Sequence, residues 1–166
     1  MEQTKPAPEY PKRKVLRLEK YDYRSNGAYF ITICTNNHET LFGSVGADSI
    51  SARMVERTFL ETVDRYEGVS SPKYVVMPDH FHVILLMIRA DPSSAPTVSD
   101  IVRSFKRYST IEYIKLVKEG LAIPFEKKLW QRSFYDHIIR CQEDYEEVYN
   151  YIENNPRAWE SKHFHS

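Results

Sequence analysis

This chain predicts an α+β fold of the ferredoxin-like kind, an antiparallel sheet with helices packed on one face. Three observations predict it. Apolar spacing switches between period 2 and period 3.6 in the order strand, helix, strand, strand, helix, strand, helix. The two middle strands meet at Pro78-Asp79, a break short enough for a hairpin. The 166 residues are 42% hydrophobic and 13% aromatic, sufficient for one sizeable core, and show no internal repeat or second-domain boundary. In such a fold the uncovered sheet face is left for a ligand.

The elements follow in order. Residues 1–20 are rich in Pro, Lys and Glu and read as a flexible basic arm, which leaves 21–166 as a single domain. Arg24-Ser25-Asn26-Gly27 is a turn signal, and Ala28 to Thr35 alternates as a strand. Leu41 to Val45 reads as a short extension. Ser51 to Tyr66 has helical spacing through Met54, Val55, Phe59, Leu60 and Val63, and Gly68 with Ser70-Ser71-Pro72 closes it. The apolar runs Tyr74–Met77 and His80–Met87 form the hairpin. Thr97 or Ser99 is placed to cap a helix over roughly 99–118, with Ile101, Val102, Phe105 and Tyr108 on its apolar side. Leu129 to Arg140 reads as the last strand. Gln142 to Asn155 reads as the last helix, stopped by Pro156.

Charge and cysteine content narrow the function classes. Formal net charge is +0, so overall charge selects no polyanionic partner. Its distribution is uneven: residues 1–30 and 101–133 lean basic, which permits a basic face on a neutral molecule. Cys34 and Cys141 have no metal-ligand spacing and make no disulfide framework. No apolar run approaches the ~20 residues of a membrane span, and the N-terminus has no signal-peptide core, so a reducing cytoplasm is expected.

The chemistry concentrates in two stretches. In Met77-Pro78-Asp79-His80-Phe81-His82, side chains two apart share a strand face at roughly 7 Å spacing. His80 and His82 then lean together while Phe81 enters the core. Two imidazoles on one face are either hydrogen-bonded core residues or a pair of ligands for one divalent metal. In Tyr151-Ile152-Glu153-Asn154-Asn155-Pro156, Tyr151 and Asn155 are four apart and share a helix face. A phenol near a metal-bound phosphate can attack phosphorus, and an amide oxygen can ligate a hard cation; equally, a helical tyrosine can simply pack. Lys14 and Arg24 in the basic N-terminal region, Arg103, Lys106 and Arg107, and Arg132 are candidates for phosphate contacts. Trp130, Phe134 and Tyr135 are candidates for stacking on unpaired bases, with core packing as the alternative for each.

These motifs carry a family resemblance. His80-Phe81-His82 resembles the His-hydrophobic-His signature of the HUH endonuclease superfamily, and Tyr151 to Pro156 resembles the tyrosine helix of its single-tyrosine transposases. With Gly27 to Thr35, Leu129-Trp130-Gln131-Arg132 and Tyr135 to Arg140, the chain is similar to REP-associated tyrosine transposases from about Tyr23 to Trp159. The resemblance implies an HUH endonuclease fold and an enzyme that nicks and rejoins single-stranded or hairpin DNA. It implies Tyr151 as nucleophile, a 5′-phosphotyrosine link, and Mg²⁺ or Mn²⁺ held by His80, His82 and Asn155. Insertion-sequence relatives commonly carry Gln where Asn155 stands. The resemblance allows a monomer or a homodimer and suggests no membrane association. Two other classes compete: a hairpin-binding module that does not cleave, and a metallohydrolase with Tyr151 structural. Against the last, the chain has no H-E-x-x-H motif.

Overall fold

A computed structural model describes residues 27–44, 49–88, 91 and 93–163. The N-terminal arm, including Lys14 and Arg24, lies outside the described residues. The elements are β1 (Gly27–Cys34), α1 (Ile50–Asp64), β2 (Val69–Val76), β3 (His80–Met87), α2 (Val98–Lys118), β4 (Tyr135–Ile139) and α3 (Gln142–His163). A single 3-10 turn, Asn36–His38, follows β1. The strands form one sheet in the order β2-β3-β1-β4, every pair antiparallel. That is the ferredoxin-like βαββαβ arrangement with a third helix appended.

Period-2 alternation divides the sheet into two faces. Tyr29, Ile31 and Ile33 of β1 join Phe81, Val83 and Leu85 of β3 in the main core, packed against Val55 and Phe59 of α1 and Val102 and Phe105 of α2. Phe81 sits 4.9 Å from Phe59 and 5.4 Å from Phe105, ring centroid to ring centroid. Burying a side chain of this size stabilises by about 1.5–3 kcal/mol. Helix α2 starts at a capping box: Thr97 Oγ1 accepts from Asp100 N, and the Asp100 carboxylate accepts from Thr97 N.

The alternate residues face the other way, and that face is only partly open. Phe30, Ile84 and Ile139 form a second, smaller core with Val148 and Ile152 of α3. So α1 and α2 lie on one face as expected, while α3 lies on the other. The reason is visible in β3, buried along nearly its whole length. A strand buried on both faces reads as a continuous apolar run, and such a run needs cover on both sides.

Four boundaries differ from the sequence reading. Ser70-Ser71-Pro72, read as the close of the first helix, belong to β2; a register shift between Ser70 and Lys73 accommodates Pro72 on this edge strand. Leu41 and Phe42 form no strand but plug the main core. The last strand is shorter, Tyr135–Ile139, and Trp130 instead makes an isolated bridge to Thr35. Pro156 does not stop α3, which continues through it to His163. Only Gly68 fits the α1–β2 turn: its φ is +73°, and a Cβ there would fall 1.9 Å from the Ile88 carbonyl oxygen. Among the described residues no helix is long and apolar enough to cross a membrane.

Candidate active site

The register of β1 against β3 builds the centre of the α3-side face. Thr32 stands opposite His82, and Cys34 opposite His80. The two imidazoles share this face with ring centroids 4.5 Å apart. Thr32 Oγ1 lies 2.7 Å from His82 Nδ1, which fixes the ring, while His82 Nε2 is buried with no hydrogen-bond partner. A buried polar atom left unpaired costs about 1–3 kcal/mol, a penalty that a ligand on Nε2 would remove. Burial, and then the charge of His80, hold the His82 pKa well below 6.5. Its imidazole is therefore neutral, the form that binds metals.

His80 is oriented by its sequence neighbour. Its Nδ1 is 2.5 Å from Asp79 Oδ1, and the other carboxylate oxygen lies 3.4 Å from His38 Nδ1. Asp79 is itself pinned by its backbone: its carbonyl accepts from both Thr35 N and Thr35 Oγ1 at 2.9 Å. The Asp79 carboxylate on Nδ1 fixes the His80 ring, the arrangement by which a carboxylate orients a ligating histidine.

Helix α3 brings Tyr151 to this pair. The Tyr151 ring lies 5.4 Å from His82 and 5.8 Å from Phe30, and the residue is 52% exposed. Asn155 is one turn on and half-buried; Trp159 is a further turn on, 5.8 Å from the His80 ring. Asn155 thus sits on the helix between the residues that touch His82 and His80. The helix is held by Val148 and Ile152, by Lys73 Nζ bonded to Glu153 and lying 4.8 Å over the Tyr149 ring, and by Asp144, whose carboxylate oxygens are both 2.9 Å from His137 Nε2. His137 belongs to β4, which β1 separates from β3, so it serves the helix rather than the His pair.

The unpartnered, buried Nε2 of His82 is the atom here that a divalent cation would satisfy. His80 and His82 offer two imidazole nitrogens on one face, Asn155 lies on the helix turn after Tyr151, and no three His, Cys, Asp or Glu side chains among the described residues cluster as ligands. Phosphate oxygens of a substrate would complete the shell of such a cation.

The other candidates are not gathered here. Arg103 (77% exposed at its side chain) and Arg107 lie on α2, across the sheet from the His pair; Arg103 reaches back to Asp100. Arg132 is exposed. Two expectations are corrected. Lys106 Nζ donates to the carbonyls of Gln131, Arg132 and Ser133, so its three N–H groups are used internally, and burial pulls its pKa down to about 8. Trp130, 4% exposed, lies between Phe42 and Phe105 and donates Nε1–H to Ser109 Oγ, so it presents no face to a base. Thr32, Lys73, Asp79 and Trp159 were not foreseen. Asp79 carried a usable signal, an acid directly preceding the first histidine.

A family model described as IS200-like transposase matches residues 24–155, a span containing every residue of the site except Trp159. The chain belongs to the IS200-like transposase family. This IS200-like transposase is 32% identical over 169 residues to an uncharacterised protein of Haemophilus influenzae, covering 89% of this chain and 90% of that one. It is 25% identical over 135 residues to a predicted REP-associated tyrosine transposase of Haemophilus influenzae, with 81% and 73% covered. Among solved structures it is similar to a REP-associated tyrosine transposase bound to a REP hairpin, at TM-score 0.60 and 22% identity, over 80% of this chain and 67% of that one. That likeness supports the fold.

Proposed function

We propose that this transposase nicks and rejoins single-stranded DNA beside a hairpin, with Tyr151 as the nucleophile. The observation that carries the reading is the placement of an exposed tyrosine ring 5.4 Å from a buried, neutral histidine whose Nε2 has no partner. Tyr151 Oη forms a bond to phosphorus as the bond from phosphorus to the 3′ oxygen breaks. The phenol gives up its proton, the departing 3′ oxygen gains one, and a 5′-phosphotyrosine and a free 3′-hydroxyl result. The phosphodiester is exchanged rather than hydrolysed, so attack by another 3′-hydroxyl reseals the strand and frees Tyr151.

His80, His82 and Asn155 are the residues that would hold Mg²⁺ or Mn²⁺, which supplies charge neutralisation at the scissile phosphate when bound. Asp79 and Thr32 keep the two imidazoles in one orientation, so little reorganisation is needed at the moment of attack. Trp159 packs against His80 and the Phe30 edge packs against Tyr151, which helps hold both rings in place. Arg103, Arg107 and Arg132 are proposed to contact phosphates of the flanking DNA, joined by Lys14 and Arg24. The DNA-hairpin partner of the solved relative makes the same partner class the natural substrate to test.

Hairpin oligonucleotides from the repeats flanking the gene, incubated with Mn²⁺ or with chelator, provide the test. We expect a protein–DNA band on a denaturing gel that needs Mn²⁺ and disappears in Tyr151→Phe. Retarded binding with no adduct identifies a hairpin-binding protein instead. Cleavage that persists in Tyr151→Phe means that water is the nucleophile.

A further inference from the structure

Of the three aromatics that precede or open β4, only one keeps its ring in solvent. Trp130 is in the core, and Phe134 is half-buried with Lys106 Nζ 5.7 Å from its ring. Tyr135 is 44% exposed although it begins a strand. It stands opposite Thr32, the residue that fixes His82, and so belongs to the face that carries the His pair. Helix α3 starts beyond the other end of β4 and runs toward β2, where Glu153 meets Lys73. The Tyr135 ring is thus left beside the site rather than beneath the helix.

Phe30 links the two exposed phenols. Its buried ring is edge-on to Tyr151 at 5.8 Å and to Tyr135 at 6.4 Å. Tyr151 and Tyr135 therefore border the same buried ring. A strand that presents a phosphate to Tyr151 places an adjacent unpaired base near that ring. We propose that Tyr135 is the stacking platform for that base, a nucleobase subsite next to the scissile phosphate. Stacking on an aromatic face tolerates any base, so this subsite holds the strand in place without reading its sequence. The proposal rests on Tyr151 being the residue that attacks.

The test runs in a Tyr151→Phe background with chelator, so that no reaction is needed. The probe is a hairpin oligonucleotide whose single-stranded flanks alternate 2-aminopurine with thymine. We expect quenched emission on binding to the Tyr151→Phe protein and to its Tyr135→Phe derivative. In the Tyr135→Ala derivative we expect emission to recover and Kd to rise about tenfold. Equal quenching and equal Kd with Tyr135→Ala overturn the proposal, as does loss of quenching in Tyr135→Phe. Adduct formation by the Tyr151 protein without Tyr135-dependent quenching would remove the subsite and leave the nucleophile standing. Tyr135-dependent quenching with no adduct would do the reverse.

Discussion

At the scale of single residues, His82 sets stability against chemistry. Its Nε2 is buried without a partner, and burial holds its pKa well below 6.5. Between that lowered value and 6.5 the unfolded chain binds a proton that the folded chain does not. Stability therefore falls as pH drops through this window, by up to ~1.4 kcal/mol per pH unit from this one group. In His82→Phe this contribution is gone. Urea unfolding of metal-free protein at pH 7.5 and pH 5.5 should show a smaller loss in the variant than in the wild type. His82→Phe removes the unsatisfied Nε2 but also the Nδ1 partner of Thr32 Oγ1, so it should destabilise the protein by about 1–3 kcal/mol at pH 7.5, while forming no adduct.

The same scale shows what was legible in the chain. That His80 shares a face with His82, and Tyr151 with Asn155, was readable because strand period 2 and helix period 3.6 fix which side chains lie together; the roles proposed for them come from the family resemblance. Where Lys106 and Trp130 lie was not readable. Both sit at the edge of a local pattern, and what decides their environment is distant: the carbonyls of residues 131–133 for the lysine, Phe42 and Ser109 for the tryptophan.

At the scale of elements, α3 is the part on which the site depends. It carries Tyr151 yet is held by a small core of its own, so its docking is separable from the main fold. Ile152 is fully buried in that core. Truncating such a side chain costs about 2–5 kcal/mol, so Ile152→Ala should raise hydrogen exchange over 142–163 while β1 and β3 stay protected. Adduct formation should fall at least tenfold with Tyr151 intact. Lys73→Ala removes only a half-exposed tether to Glu153, and exposed ion pairs are worth about 0–1 kcal/mol, so its single-turnover rate should fall at most a few-fold. Pro156 explains why Trp159 was missed. A proline removes one helical hydrogen bond and reads as a stop, but here the turns beyond it continue and set Trp159 against His80.

At the scale of the molecule, one sheet separates two tasks. The α1 and α2 face holds the main core, and the α3 face holds the His pair and Tyr151. The βαββαβ order was legible because β1, β3, α1 and α2 each carry an apolar spacing of clear period. The cover on the second face was less so, since a strand buried on both sides looks the same whichever helix covers it. The division also places Arg103 and Arg107 away from the His pair, so DNA reaching both must wrap an edge of the sheet. Arg103→Ala or Arg107→Ala should each lower the slope of log K against log salt by about 1. Lys106→Ala should leave that slope unchanged and instead destabilise the fold by about 1–3 kcal/mol, because three carbonyls lose their donor.

In the proposed reaction Tyr151 becomes covalently joined to DNA. The most direct measurement is mass spectrometry of the trapped Mn²⁺-dependent adduct, after exhaustive nuclease and protease digestion. We expect a single nucleotide joined through its 5′ phosphate to Tyr151. A nucleotide on Tyr149, on Tyr135 or on any other side chain would contradict it, as would cleaved DNA with no nucleotide on the protein.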